Sequence, residues 1–407
     1  MELIQILKIV SLIILLLLLL RLKISISLSL LILSLYSVLI FSIDIKRAIN
    51  SSLLILIDET SLNLYLIISS VLYITMIQKR EKMFDRLLLS LRSIFRNNKV
   101  VAMTAPAIIG LLPMPGGALV SAPLVETSVK DGNIPGEFKT FINYWFRHIW
   151  EFVWPIYAGL LLFEAMSSIP LKRIILIQSP YTILNIISGL LITYWFMRKN
   201  NIKTPPVSEK STPGKTISDF FAGIWPVLLI ILLFFIFSVP LYISMVITSV
   251  VLTIIKRTGI KDVLKMVFSP LILKTIFLMT SVLIFQKIIS ISTIFSTSGL
   301  GDIPFPLLIF LCFLISFSLG FLTGVNTAYI AISYPILLPL IKSLPGFTSL
   351  SIYIYVIGFA GILLSPVHLC LVLTNEYFKS NLLKVYKYLL PPVLLLMITS
   401  TLAVLFL

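Results

Sequence analysis

Residues 110–120 read GLLPMPGGALV and lie at the centre of an apolar stretch that covers residues 100–125. Two prolines remove backbone hydrogen-bond donors, and two adjacent glycines favour departure from helical geometry. The chain must therefore break here. Because broken backbone is tolerated at membrane depth only inside protein or around a polar cavity, the pattern predicts a re-entrant hairpin, which enters and leaves a bilayer on the same side.

The rest of the chain is strongly apolar as well. Of its 407 residues, 58% are hydrophobic and 12% are charged, against roughly 25% charged residues in an ordinary soluble domain. This composition excludes a soluble globular protein and predicts an all-α polytopic membrane protein. A helix needs ~20 residues to cross a bilayer. Apolar runs near that length predict crossings at residues 3–20, 24–41, 60–77, 140–164, 174–197, 218–238, 240–255, 270–290, 351–375 and 388–407.

A second interrupted apolar stretch covers residues 304–341 and has the tip sequence TGVNT at residues 323–327. The sequence GLL at 110–112 aligns with GFL at 320–322, at an offset of 210 residues. Each half of the chain then contains about five transmembrane helices and one re-entrant hairpin, in opposite orientations. The predicted fold class is therefore two inverted-topology repeats, an architecture typical of secondary transporters.

Basic residues set the predicted orientation. The chain has 32 Lys and Arg against 16 Asp and Glu, and the cations cluster in short loops, as the positive-inside rule describes. We therefore interpret the charge as a topology signal and expect no nucleic-acid partner. Loops 78–100 and 198–215 are assigned to the cytoplasm, which requires both interrupted stretches to be hairpins. Cys312 and Cys370 lie in apolar stretches and are interpreted as buried small hydrophobes.

The two hairpin tips form the predicted binding site. Broken backbone offers carbonyl ligands to a cation, and the start of the next helix presents free N–H groups and a positive dipole end to an anion. The alternatives are a Pro-Gly kink in a packed helix at the first tip and close interhelical packing at the second. The candidate residues are Pro113, Pro115, Gly116, Gly117, Ser121, Thr323, Gly324, Asn326 and Thr327, with sodium expected at Gly116, Gly117, Asn326 and Thr327.

A helix interrupted by proline follows the first hairpin. Arg147, His148 and Glu151 precede Pro155, at a depth where charges are costly and usually functional. We assign these three side chains as supporting charges of the site. Mutual neutralisation of Arg147 and Glu151, at i, i+4 spacing on a helix, is an equal alternative.

A second helix interrupted by proline follows the second hairpin. Ser365 and His368 flank Pro366 and complete the candidate site. The imidazole of His368 either carries a coupling proton or is a hydrogen-bonded structural group, and the structural alternative is favoured.

Enzyme signatures are weak or missing. Residues 299–302, GLGD, match the G-x-G-D pattern of intramembrane aspartyl proteases, but the chain contains no Tyr-Asp partner motif. The sequence also lacks the H-E-x-x-H, G-x-S-x-G and P-loop motifs. We therefore expect that the protein is not an enzyme and needs no cofactor. An intramembrane enzyme and a non-transporting membrane scaffold are the alternatives.

Three strings resemble an uncharacterised prokaryotic permease family: GLLPMPGGA at 110–118, FINYWFRH at 141–148 and LSPVHLCL at 364–371. That family is known only as a domain-of-unknown-function family and is grouped with the ion-transporter superfamily of sodium-coupled dicarboxylate, gluconate and aminobenzoyl-glutamate carriers. The resemblance implies a scaffold domain, usually at a dimer interface, and a transport domain that moves as an elevator. The implied division is scaffold at 1–95 and 216–303, cytoplasmic linker at 198–215, and transport domain at 96–197 and 304–407.

These features together predict a multi-pass secondary active transporter of the cytoplasmic membrane. The expected substrate is a small organic anion, a carboxylate or a sugar acid. The coupling ion is sodium or, as the alternative, a proton. The expected partners are the anionic substrate, the lipid bilayer and, from the resemblance, a second copy of the chain in a homodimer.

Overall fold

The protein is helical throughout the part of the chain that the structure describes. A computed structural model describes residues 3–95, 97–112, 116–129, 134–200, 213–292 and 304–406. A π-helical turn, Leu232–Ile236, extends the helix Pro213–Ile231. The helices are α1 Leu3–Arg21, α2 Ile26–Ile40, α3 Ile45–Ile57, α4 Glu59–Arg80, α5 Met83–Ile94, α6 Asn98–Gly110, α7 Gly117–Ser128, α8 Gly136–Arg147, α9 Ala158–Ser167, α10 Leu171–Lys199, α11 Pro213–Ile231, α12 Leu241–Ile255, α13 Ile260–Val267, α14 Pro270–Ile291, α15 Phe305–Thr323, α16 Asn326–Ile341, α17 Phe347–Leu364, α18 Leu369–Phe378 and α19 Leu382–Leu405.

Long apolar helices dominate the fold. Among the described residues, 7 helical segments are long and apolar enough to cross a membrane, and they include α4, α10, α15 and α19. Their outer faces carry exposed large apolar side chains, such as Leu176 at 72% and Leu191 at 61% exposure on α10. Such faces suit lipid, because the backbone polar groups in the interior of a helix are hydrogen-bonded within the helix. The all-helical prediction is confirmed, and the long helices fit a multi-pass membrane protein.

Three helices occupy segments that the sequence analysis treated as loops. These are α3, α5 and α13. On α5, the apolar side chains Met83, Leu87 and Leu91 are buried on one face, at the i, i+4 spacing of an amphipathic helix. A long hydropathy window averages the apolar face of such a helix with its charged face. The mean hydropathy is then low, and the helix is missed.

Two groups of helices pack mainly among themselves. In the first group, α4 contacts α12 and α14, α2 contacts α14, and α5 contacts α11. In the second group, α6 contacts α7 and α8, α15 contacts α16 and α17, and α18 contacts α8. The groups meet where α4 contacts α9 and where α14 contacts α16.

The centre of the second group is formed by helices that are buried on all sides. Every residue of α17 from Leu350 to Leu364 is buried, and α8 is buried from Thr140 to Arg147. A helix that is buried all round must be surrounded by other helices and not by lipid. This position places the ends of α8 and α17 inside protein.

Glycine allows two close helix contacts in this centre. A Cβ atom added at Gly110 would lie 2.2 Å from the carbonyl oxygen of Arg147, so α6 and α8 touch through their backbones. A Cβ atom added at Gly320 would lie 2.0 Å from the carbonyl oxygen of Gly358, and so α15 and α17 touch in the same way.

Candidate functional site

The first interrupted helix breaks between α8 and α9. Helix α8 ends at Arg147, and residues 148–157 form turns before α9 begins. The last carbonyl groups of a helix lack intrahelical hydrogen-bond donors. At the end of α6, side chains from the break donate to these carbonyls. The Trp154 indole N–H donates to the carbonyl of Leu111 over 2.8 Å, and the Tyr157 hydroxyl donates to the carbonyl of Gly110. The break is therefore fixed to the end of α6.

The second interrupted helix breaks between α17 and α18. Helix α17 ends at Leu364, Pro366 follows, and His368 is the N-cap residue of α18. The His368 Nδ1 atom lies 2.6 Å from the carbonyl oxygen of Gly324. Gly324 ends α15 in the left-handed region, with φ of 60°, which glycine adopts without steric cost. This break is thus fixed to the end of α15.

The two breaks meet through the two histidines of the chain. The Nε2 atoms of His148 and His368 lie 3.1 Å apart. The His148 Nδ1 atom lies 2.7 Å from the carbonyl oxygen of Tyr144. Cys370 lies next to the pair, and one ligand atom from each of the three side chains falls within 4.8 Å of the others. These are the side chains of the described chain that are placed to hold a metal ion together.

Glu151 connects the first break to the start of α16. The Asn326 amide nitrogen Nδ2 donates to Glu151 Oε2 over 3.0 Å, and the Tyr355 hydroxyl donates to the Glu151 carbonyl oxygen over 2.9 Å. The Asn326 Oδ1 atom is buried and has no hydrogen-bond partner in the described structure. A buried oxygen without a partner is costly, and this one packs against Gly159, where an added Cβ atom would lie 2.5 Å from it.

Arg147 connects the first break to the end of α6 and the start of α7. Its Nη1 atom donates to the carbonyl of Ile109 over 3.3 Å. A Cβ atom added at Gly117, the first residue of α7, would lie 2.4 Å from the same Nη1 atom. The glycine therefore lets the guanidinium lie directly on the start of α7.

A buried polar network supports this arrangement. The Ser121 hydroxyl donates to Asn143 Oδ1 over 2.7 Å. Asn143 Nδ2 donates to the Ala118 carbonyl over 3.0 Å and to the Thr374 hydroxyl over 3.2 Å. The network joins α7, α8 and α18, and networks with satisfied partners of this kind rigidify a core.

Six of the side chains at the breaks line a cavity of about 290 Å³: Arg147, His148, Glu151, Tyr157, His368 and Cys370. The side chains that α4 and α14 add to the lining are mostly apolar and include Val71 and Leu271. The cavity thus lies between the two groups of helices, which is a common position for ligand sites.

A larger cavity of about 600 Å³ lies elsewhere, beside Thr60, Glu164 and Lys172. Its charged groups already have structural partners: Glu164 Oε1 accepts from the backbone N–H of Leu171 over 2.9 Å, and the Lys172 ammonium donates to the Ser238 hydroxyl over 3.2 Å. We therefore take the smaller cavity, where charged groups converge, as the candidate site.

The structure places the predicted site residues in different roles. Gly116 has φ of 72° and precedes α7, and a Cβ atom there would lie 3.8 Å from Leu373. The Thr323 hydroxyl donates to the Leu319 carbonyl of its own helix over 2.7 Å. Thr327 is half-buried in the first turn of α16. Pro113 and Pro115 lie outside the described residues.

Other predicted residues lie together at the breaks. Ser365 lies beside Gly324, where a Cβ atom would approach the serine hydroxyl to 2.9 Å. The alternative of an Arg147–Glu151 pair at i, i+4 spacing assumed a continuous helix, whereas α8 ends at Arg147. The Arg147 guanidinium lies on the start of α7, and the Glu151 carboxylate accepts from Asn326 at the start of α16.

Sequence reasoning missed four contributors to the site: Asn143, Tyr157, Tyr355 and Cys370. Tyr157 followed a visible break signal, Trp154-Pro155, and could have been found from it. Asn143, Tyr355 and Cys370 lie in apolar segments, and only their partners from distant segments give them a role. Cys370 is half-buried beside the histidines and is not part of the buried hydrophobic core.

The fold and site define a helical membrane protein with a polar cavity between interrupted helices. A comparison with family models matches residues 3–407, and the chain belongs to that family, which is described as "Protein of unknown function (DUF401)". This membership confirms the uncharacterised family that the sequence strings indicated. A comparison with curated proteins found no match.

Proposed function

We propose that the protein is a secondary active transporter that carries a small organic anion, a carboxylate or sugar acid, across the cytoplasmic membrane. Transport is coupled to a sodium or proton gradient. The observation that carries this proposal is the meeting of two interrupted helices at one polar cavity, within a chain of long apolar helices. Secondary transporters use such interruptions because helix ends bring unpaired backbone groups to the membrane interior.

The charge of the cavity favours an anion. Its described lining contains one carboxylate, Glu151, together with Arg147 and two histidines. Helix α7 begins against the Arg147 guanidinium, and α18 begins between His368 and Cys370. Helix N-termini attract anions through free N–H groups and the helix dipole.

Recurring contacts support an inverted repeat. Gly110 contacts Arg147, and at offsets of 210 and 211 residues Gly320 contacts Gly358. Tyr157 and His368 are also 211 residues apart, and each directly precedes the helix that follows a break. Tyr157 bonds a carbonyl at the end of α6, and His368 bonds one at the end of α15. Such parallels favour common ancestry of the halves and support interpreting 100–125 and 304–341 as re-entrant hairpins.

The packing supports an elevator mechanism. The helix group at residues 3–95 and 213–292 corresponds to the implied scaffold, and the remaining helices correspond to the implied transport domain. The cavity has an apolar wall from the first group and a polar wall from the second. Sliding of the polar wall along the apolar one would carry a bound solute across the membrane, with the scaffold forming a homodimer.

Solute binding and uptake test this proposal. The purified protein is screened for thermal stabilisation by a library of carboxylates and sugar acids, and each hit is then tested for uptake in proteoliposomes. We expect uptake that depends on a sodium or proton gradient. Glu151→Gln should abolish this uptake, whereas Glu164→Gln, whose side chain still accepts the Leu171 N–H, should retain it.

Two results would contradict the proposal. If no gradient drives uptake of any hit, the protein is not a secondary transporter of these anions and the scaffold alternative gains support. If a hit is converted into a new compound without crossing the membrane, the intramembrane enzyme alternative is correct instead.

Cysteine labelling tests the hairpins separately. Single cysteines at Asn97 and Asn200, both exposed, should react with an impermeant maleimide only from the cytoplasm, and one at Ser343 only from outside. The background carries serine at positions 312 and 370. Labelling of positions 97 and 200 from opposite sides would remove the first hairpin and the inverted repeat with it.

A further inference from the structure

The chain contains two histidines and two cysteines, and three of these four side chains lie together at the breaks. His148 caps the end of α8, His368 caps the start of α18, and Cys370 is the second residue of α18. One ligand atom from each lies within 4.8 Å of the others. Because the two histidines are 220 residues apart in sequence, local sequence spacing does not account for the cluster.

The hydrogen bonds define the tautomer of each imidazole ring. His148 Nδ1 lies 2.7 Å from the Tyr144 carbonyl oxygen, and His368 Nδ1 lies 2.6 Å from the Gly324 carbonyl oxygen. A carbonyl oxygen only accepts hydrogen bonds, so both Nδ1 atoms carry protons. In neutral rings, both Nε2 atoms then present lone pairs.

Two lone pairs facing one another repel. The Nε2 atoms are 3.1 Å apart, a separation that needs a cation between or beside them. A single proton would satisfy the two nitrogens and would leave the Cys370 thiol as a hydrogen-bonding neighbour of the two rings. A metal ion uses all three groups, since imidazole nitrogen and thiolate sulfur are the ligands of Zn²⁺.

The distance between the two histidine nitrogens fits a tetrahedral ion. With Zn–N bonds of about 2.0–2.1 Å and a tetrahedral angle, two ligand nitrogens lie about 3.3 Å apart, close to the 3.1 Å between the histidine nitrogens. Donation from Nδ1–H to a backbone carbonyl is also the usual way in which metal-binding histidines are oriented. Here both rings are oriented in this way.

We propose that His148 Nε2, His368 Nε2 and the Cys370 thiolate form a Zn²⁺ site with one open position facing the cavity. Binding displaces the thiol proton, so the ion and its three protein ligands carry one net positive charge. All three ligands line the 290 Å³ cavity, and the fourth position is free for water or an anionic group. Three protein ligands with an open position are typical of zinc sites that bind substrate.

Metal binding to the detergent-solubilised protein tests the site without any transport assay. The protein carries a tag without histidine, is stripped with a chelator, and is titrated with Zn²⁺ against a chromogenic chelator. We expect one bound Zn²⁺ per chain, and a sulfur-to-cobalt charge-transfer band when Co²⁺ is used as the probe. Stripped protein that binds no Zn²⁺ would overturn the proposal and leave a shared proton as the explanation of the pair.

Variants identify the ligands. Cys370→Ser should remove the charge-transfer band and weaken Zn²⁺ binding by more than the ~10–100-fold that loss of a supporting partner costs. His368→Ala should weaken it likewise. Cys312→Ser is the matched control, because Cys312 is buried within α15 and should leave both readouts unchanged. A band that survives Cys370→Ser, or disappears in Cys312→Ser, would refute the assignment.

A chemical measurement covers the case in which a ligand variant does not fold. In the Cys312→Ser protein, Cys370 is the remaining cysteine, and its alkylation rate by a small maleimide can be followed directly. Zn²⁺ should slow this reaction at least tenfold, and Mg²⁺, which prefers oxygen ligands, should not. Equal rates with and without Zn²⁺ would overturn the proposal.

Discussion

Replacement of Gly110 by alanine should force α6 and α8 apart at the edge of the cavity. The new Cβ atom would lie 2.2 Å from the Arg147 carbonyl oxygen, whereas ordinary contact begins at 3.4 Å. The two helices must therefore separate by about 1.2 Å, the difference between these distances. The obstacle is backbone, which cannot move aside as a flexible side chain can.

The expected cost follows from two opposing terms. Overpacking of a filled core costs typically ~1–3 kcal/mol, and a backbone obstacle places this substitution at the upper end. Alanine returns up to ~1 kcal/mol through its higher helix propensity. The net loss of stability should be ~1–2 kcal/mol, together with displacement of Arg147 in the cavity wall.

Thermal denaturation in detergent, followed by size-exclusion chromatography, measures the effect. Gly110→Ala should lower the midpoint by several degrees, and so should Gly320→Ala, whose Cβ atom would lie 2.0 Å from the Gly358 carbonyl oxygen. Gly259→Ala is the matched control, because a Cβ atom there has nothing within 4 Å. Equal midpoints for Gly110→Ala and Gly259→Ala would show that the helices do not touch as described.

Three further substitutions test the cavity. Gly117→Ala should leave the fold intact, since the nearest obstacle to its Cβ atom is the flexible Arg147 guanidinium. It should reduce the thermal stabilisation of the protein by a bound solute. Unchanged stabilisation would show that Arg147 takes no part in solute binding. Tyr355→Phe removes the hydrogen bond to the Glu151 carbonyl and the longer one from Asn326 Nδ2, and it should cost at least ~0.5–1.5 kcal/mol of stability. An unchanged midpoint would show that neither bond contributes to stability. Asn326→Ala should weaken substrate affinity by about 5- to 150-fold, or ~1–3 kcal/mol, and normal affinity with normal folding would show that the second tip is only packing.

The parts of the fold that depend on local sequence were predictable. Apolar runs predicted the long helices, and prolines such as Pro155 and Pro366 marked the two breaks. The length of the first break was not predictable, because the non-helical residues 148–157 form hydrogen bonds with α6 that no local sequence pattern indicates. Indole and phenol donors in this segment find carbonyls some 43 to 47 residues earlier in the chain.

The composition of the site was less predictable than its position. Periodicity indicates which face of a helix is buried, but it does not indicate which buried faces meet. His148 and His368 were visible as polar residues near breaks, yet their contact depends on the packing of α8 against α18. Asn143 and Tyr355 could not be distinguished from structural polar residues, since their partners lie 22 to 231 residues away.

At one equivalent position, the two halves of the proposed repeat carry different side chains, Tyr157 and His368. This difference accounts for the location of the histidine pair in the cavity. Tyr157 and His368 each hold the end of a helix, α6 or α15, by donating to a glycine carbonyl. The phenol of Tyr157 has a single donor, which this bond uses. The imidazole of His368 has a second nitrogen, and that nitrogen reaches His148. The same structural contact is therefore made in both halves, but only His368 keeps a second ligand atom, Nε2, for the centre of the protein. Two similar halves can in this way form an asymmetric site.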